Sequence, residues 1–127
     1  MSAPSLTGFG SLKTVKSERI NDKITRKIVS GERGMIVWWS VKKGAHAAAH
    51  KHKHEQIFWM LKGTMEFRMG TKRRVCKAGD VCVIPGGVEH EAWFHADTEV
   101  IDVFTPPRAD LLAGGPPPYM REARKRA

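Results

Sequence analysis

The chain has 127 residues, 41% hydrophobic and 28% charged, and no apolar run approaches the roughly 20 residues that span a bilayer. Those values fit one soluble globular domain, excluding wholesale disorder and leaving hardly any room for a second domain. Lys and Arg outnumber Asp and Glu by 22 to 13, a net charge of +9, which favours anionic partners.

Residues 1–20 carry little periodicity and are expected to form an N-terminal arm or edge strand. The opening Met-Ser-Ala-Pro-Ser-Leu-Thr-Gly has no charged or apolar leader pattern, so no secretory signal is expected and the expected address is cytoplasmic. From Lys23 the chain alternates, with Ile24, Arg26, Ile28 and Ser30 on one face. Met35, Val37, Trp39 and Val41 then share one side of a strand. Short runs follow at Gln56–Leu61, Met65–Met69, Arg74–Lys77, Asp80–Ile84, Glu91–His95 and Glu99–Thr105, separated by turn formers such as Lys62-Gly63 and Pro85-Gly86-Gly87. Many short strands at such spacing read as an all-β sandwich or barrel over residues 21–108, with no helix of ordinary length between them.

From Pro106 to Pro118 the abundance of Pro and Gly predicts irregular structure, and residues 109–127 read as a Pro/Gly-rich basic tail. The last nine residues hold Arg121, Arg124, Lys125 and Arg126 against Glu122, so part of the positive charge belongs to the tail. A solvated basic surface is the expected reading, and DNA or RNA binding is not expected. Cys76 and Cys82 form no CxxC pair and read as small buried hydrophobes.

The chemistry concentrates in four histidines within nine residues: His46, His50, His52 and His54. Read as a strand, this stretch points His50 and His52 to one face, with Gln56 sharing their parity. His90, just after the Pro85-Gly86-Gly87 turn, is the candidate third imidazole. Three nitrogens and an amide oxygen suit one divalent transition metal ion, with Ni, Zn, Mn, Co and Fe all open. Taken alone, His-Lys-His-Lys-His reads equally as a solvated loop that binds metal adventitiously.

The wider spacing resembles a known family. Gly44-(5)-His50-x-His52-(3)-Gln56-(6)-Gly63 is similar to the first cupin motif, with Gln56 in the Glu position. Gly79-(5)-Pro85-x-Gly87-(2)-His90-(3)-Phe94 is similar to the second, with Phe94 in the Asn position. The resemblance implies a cupin (RmlC-like) jelly-roll β-barrel. The run His50-Lys-His52-Lys-His54-Glu55-Gln56-Ile57 further resembles the KdgF-type small cupins of pectin and alginate breakdown, which use Gln as a metal ligand. Asp102-Val103-Phe104-Thr105-Pro106-Pro107-Arg108 is similar to a second signature of that group.

The resemblance implies opening of 4,5-unsaturated uronates to 4-deoxy-5-keto uronates. His50, His52, Gln56 and His90 would hold the metal, Asp102 would transfer protons, Arg108 would bind the substrate carboxylate and Phe104 would shape the wall. Trp39 and Trp93 are candidates for stacking on a sugar-like ligand, with core packing the alternative, and Arg68 is a further candidate contact to an anionic substrate. His54 is placed beside the metal cluster, and His46 and His95 at the surface. The alternatives are an Fe(II) cupin dioxygenase or lyase acting on an enol, diketone or aromatic compound, and a non-catalytic ligand- or metal-binding cupin. A homodimer paired through the N-terminal strands is also implied.

Overall fold

The computed structural model describes residues 4–115. Ten strands follow in order: β1 Glu18–Arg19, β2 Ile24–Ser30, β3 Met35–Val41, β4 His46–His50, β5 Glu55–Lys62, β6 Thr64–Met69, β7 Lys72–Lys77, β8 Val81–Ile84, β9 His90–Phe94 and β10 Thr98–Thr105. They form a six-stranded sheet ordered β1-β2-β3-β10-β5-β8 and a four-stranded sheet ordered β4-β9-β6-β7. Every pairing is antiparallel.

Strict alternation of burial along β5, β9 and β10 shows why the sheets close on each other. Successive strand residues point to opposite faces, so one set of side chains fills the interior while the other faces out. Val37, Trp39 and Val41 from β3, Phe58 and Met60 from β5, Met65 and Phe67 from β6, and Ala92 and Phe94 from β9 make that interior. Burying such side chains is the main stabilising term, about 1.5–3 kcal/mol for each large one.

Gly63 shows how tightly the two sheets are joined. It turns the chain from β5 into β6 at φ +95°, and a Cβ there would stand 2.4 Å from the Asp97 carbonyl oxygen. Only glycine meets both demands.

His46–His50 is a strand, as read, although three of its residues are alanine, because pairing with β9 outweighs weak intrinsic propensity. Two features differ from the sequence reading. Strand β4 ends at His50, so His52 lies in the irregular link 51–54 and strand parity does not place it. Residues 106–118 are not wholly irregular: Ala109–Leu112 form a short helix, α1, with Leu111 1% exposed. Residues 1–20 contribute β1, which pairs with β2 at the edge of the larger sheet. The basic run Arg121–Arg126 lies outside the described residues. Among the described residues no helix is long and apolar enough to cross a membrane.

Candidate metal centre

His50 closes β4 and His90 opens β9, where they are cross-strand partners. His52 follows in the link to β5, and Gln56 is the second residue of β5. The 51–54 link has no strand of its own and is held by the turn before His90. The Gly87 N–H donates to the His52 carbonyl at 2.8 Å, and a Cβ on Gly86 would stand 2.3 Å from the Lys53 carbonyl oxygen. The Pro85-Gly86-Gly87 turn thus carries His90 and, through its bare backbone, seats His52.

The three imidazoles converge. Ring centroids are 4.3 Å apart for His50 and His90, 5.0 Å for His52 and His90, and 5.8 Å for His50 and His52. One ligand nitrogen from each lies within 4.8 Å of the others. Each Nδ1–H donates to a backbone carbonyl: His50 to Ala48 at 2.7 Å, His52 to His54 at 3.1 Å and His90 to Val88 at 2.9 Å. A carbonyl accepts only from an N–H, so all three rings carry the proton on Nδ1 and the lone pair on Nε2. Burial lowers all three pKa values, His50 to about 3 and His52 to about 4, so the rings are neutral near pH 7.

Gln56 lies beside them. Its Nε2 donates to Asp102 Oδ1 at 3.0 Å, which turns its Oε1 toward His52 Nε2 at 3.1 Å. Two acceptors face each other there without a proton between them. Adjacent ligands on an ion with bonds of about 2.0–2.2 Å stand about 3 Å apart. His90 Nε2 is buried with no hydrogen-bond partner among the described residues. An orphaned buried nitrogen costs stability unless something binds it. A divalent transition metal answers both anomalies, so the donor set fits one.

Asp102 lies beneath this cluster on β10, accepting from Gln56 at Oδ1 and from Trp39 Nε1–H at Oδ2, 2.8 Å away. Burial pushes its carboxyl up to about 6, against the opposing pull of those donors and of Arg108. His50, Gln56, His90, Asp102, Phe104, Arg108 and Trp39 line one cavity, whose remaining walls include Phe58, Phe67 and Phe94. Its free space is about 60 Å³, well below the roughly 300 Å³ at which small-molecule pockets begin. The interior is packed core, and a sugar-sized ligand has room only at the mouth.

Arg108 is 4% exposed, with Cζ 5.1 Å from the Phe104 ring centroid. Its Nε and Nη2 straddle the Asp110 carboxylate at 3.2 and 2.6 Å. Two expected contacts do not reach the cavity. Trp93 points outward from β9, stacked on His46 at 5.6 Å with the Arg73 guanidinium 4.5 Å from its ring centroid. Arg68 points outward from β6, bonded to Glu89, Glu91 and the Gly70 carbonyl. Trp39 lines the cavity, but its 4% exposure and bond to Asp102 make it a wall and a donor. His54 is half-buried beside His52, at 5.4 Å between centroids, while His46 pairs with Glu91 and His95 with Glu66 on the outside.

Residues 37–104, more than half the chain, match the family described as the cupin domain. The chain is a cupin. This cupin is 34% identical over 98 residues to the pectin degradation protein KdgF of Dickeya dadantii (strain 3937), spanning 75% of this chain and 89% of that one. The structure of KdgF from Halomonas sp. superposes with a TM-score of 0.77 at 30% identity, covering 82% of this cupin and 99% of that chain. An RmlC-like cupin from Shewanella frigidimarina NCIMB 400 superposes with a TM-score of 0.81 at 26% identity, covering 87% and 99%. Sequence reasoning missed Gly86 as the seat of the His52 link.

Proposed function

We propose that this cupin is a metal-dependent enzyme that opens a 4,5-unsaturated uronate, the product of pectate or alginate lyases, to its 4-deoxy-5-keto form. The observation that carries the reading is the chain of contacts His52–Gln56–Asp102–Trp39, which sets a buried carboxyl directly behind the metal ligands. Such a carboxyl orients Gln56 and can also carry a proton to a substrate. The similarity to KdgF supports the substrate class.

His50, His52, Gln56 and His90 would hold the ion. When bound, it supplies Lewis acidity at the oxygens of the sugar. Arg108 would grip the substrate carboxylate with its guanidinium while Asp110 braces it. Asp102, with its pKa near 6, can carry a proton at neutral pH or give one up. Its proton goes to ring carbon C4 as water adds to C5, and the carboxylate then takes the proton that water releases. The resulting C5 hemiketal opens by moving its hydroxyl proton to the ring oxygen as the bond between C5 and that oxygen breaks, and the C1 hydrate so formed loses water to give the aldehyde. Phe104 fills the wall beneath this seat.

The protein is further proposed to work as a homodimer. Support comes from the outer face of the larger sheet, where Trp59, Val81 and Val83 are 53%, 67% and 52% exposed beside Ile57 and Ile36. Contiguous apolar patches of this kind mark association surfaces.

The test is turnover of unsaturated galacturonate by metal-loaded protein under argon, followed by loss of the vinylic H4 proton signal in NMR spectra. Consumption without oxygen is the expected result. No consumption contradicts the reading, and consumption only in air replaces it with the dioxygenase alternative.

A further inference from the structure

Arg26 is fully buried on the inward face of β2, and no step above uses it. Burying a guanidinium with an incomplete set of partners is unfavourable. Its Nη2 donates to the carbonyls of Gly115 at 3.0 Å and Leu111 at 3.4 Å, and lies 3.5 Å from Glu18 Oε2. Its Nε and Nη1 meet no hydrogen-bond partner among the described residues. Its Cζ stands 5.7 Å from the centroid of the Trp39 ring, the ring that donates to Asp102.

Both carbonyls belong to the segment that follows Arg108. Helix α1 there is four residues long, too short to hold itself in water. Its final carbonyls need donors, and its last turn contains no basic residue. From β2, Arg26 adds a second donor to the Leu111 carbonyl, which also accepts from the Gly114 N–H at 3.1 Å, and ties down the Gly115 carbonyl just beyond the helix, while Leu111 anchors the same turn in the core.

We propose that Arg26 is the latch that seats residues 106–115 on the barrel and thereby fixes Arg108 at the cavity. It is a positioning residue, acting through Arg108. Its effect on substrate rests on the reading of Arg108 as the carboxylate anchor, whereas the latch itself does not.

The test compares Arg26→Met and Arg26→Lys with wild type in the full chain. Methionine leaves no stranded charge, so the barrel should fold; lysine keeps the charge with fewer donors and carries the test should Met fail. Hydrogen exchange is read at the amides of Leu112, Ala113 and Gly114, which bond back to Arg108, Ala109 and Leu111. Loss of charge-assisted bonds predicts exchange there about tenfold faster in Arg26→Met and intermediate in Arg26→Lys, with β-strand protection and metal content unchanged. On unsaturated galacturonate, KM should rise about tenfold with kcat within about threefold, and in an Arg108→Ala background Arg26→Met should add nothing. Unchanged exchange at 112–114, equal acceleration in the strands, or additive KM effects would each overturn the proposal. If wild type does not act on the uronate, the reading of the site falls and the exchange measurement alone still decides the latch.

Discussion

Asp102 does two things at once, and its replacement separates them. As an acceptor it turns the Gln56 amide so that Oε1 faces His52, and in the proposed reaction it is the proton carrier. Asp102→Asn offers one acceptor where two donors wait, so the Gln56 amide is driven to flip. The expected outcome is a folded protein with turnover about 10²- to 10⁴-fold lower and metal held about 10-fold less tightly. NMR assay at saturating metal and a competition titration with a chelator check the two parts. Gly86→Ala acts on the same site from behind. Its Cβ meets the Lys53 carbonyl, so the 51–54 link must shift, with an expected loss of about 1–3 kcal/mol in chemical denaturation and weakened metal binding. The histidines also set a pH dependence. His50 and His52 have folded pKa values depressed below the unfolded 6.5, so the unfolded chain binds more protons and metal-free stability falls as pH drops from 6.5 toward 3–4. Asp102, raised from 3.8 to about 6, opposes this trend between those values, but one carboxyl is outnumbered by the two rings. Melting temperatures of metal-free protein from pH 7.5 to 4.5 should therefore decline.

Among the elements, β9 and β10 were legible because their inward residues alternate without a break. His90, Ala92 and Phe94 point in, which already puts Trp93 outside; Met65 and Phe67 do the same for Arg68. Parity, not residue type, decides where both side chains lie. Asp102 and Phe104 share strand parity on β10, and both lie on its inward face. The site's loop was less legible, since His52 is placed by contacts with Gly86 and Gly87 more than thirty residues away, which local pattern does not carry. The same holds for α1, whose Pro-rich surroundings hide a helical turn stabilised by Leu111 and Arg26. Local propensity is silent about such long-range support. The segment is equally open to test from its own side. Asp110→Asn removes the carboxylate that braces Arg108, and KM should rise several-fold with metal content unchanged.

For the whole molecule, the outer face of the larger sheet is the feature that a lone chain leaves unexplained. Ile57 and Trp59 on β5 sit in register with Val83 and Val81 on β8 and with Val103 and Ile101 on β10. Light scattering should give about twice the 14.2 kDa chain mass, and Trp59→Glu should shift it to the monomer by burying a charge against an apolar partner. A monomeric wild type at micromolar concentration would contradict the pairing.

A metal centre of His50, His52, Gln56 and His90 requires one ion per chain, and stoichiometry decides it. Untagged wild-type protein and the His50→Ala/His52→Ala double variant should be compared by plasma mass spectrometry after identical purification and reconstitution. One transition-metal ion per chain in wild type, absent from the variant, is the predicted result. No metal in either protein, or equal metal in both, would contradict it.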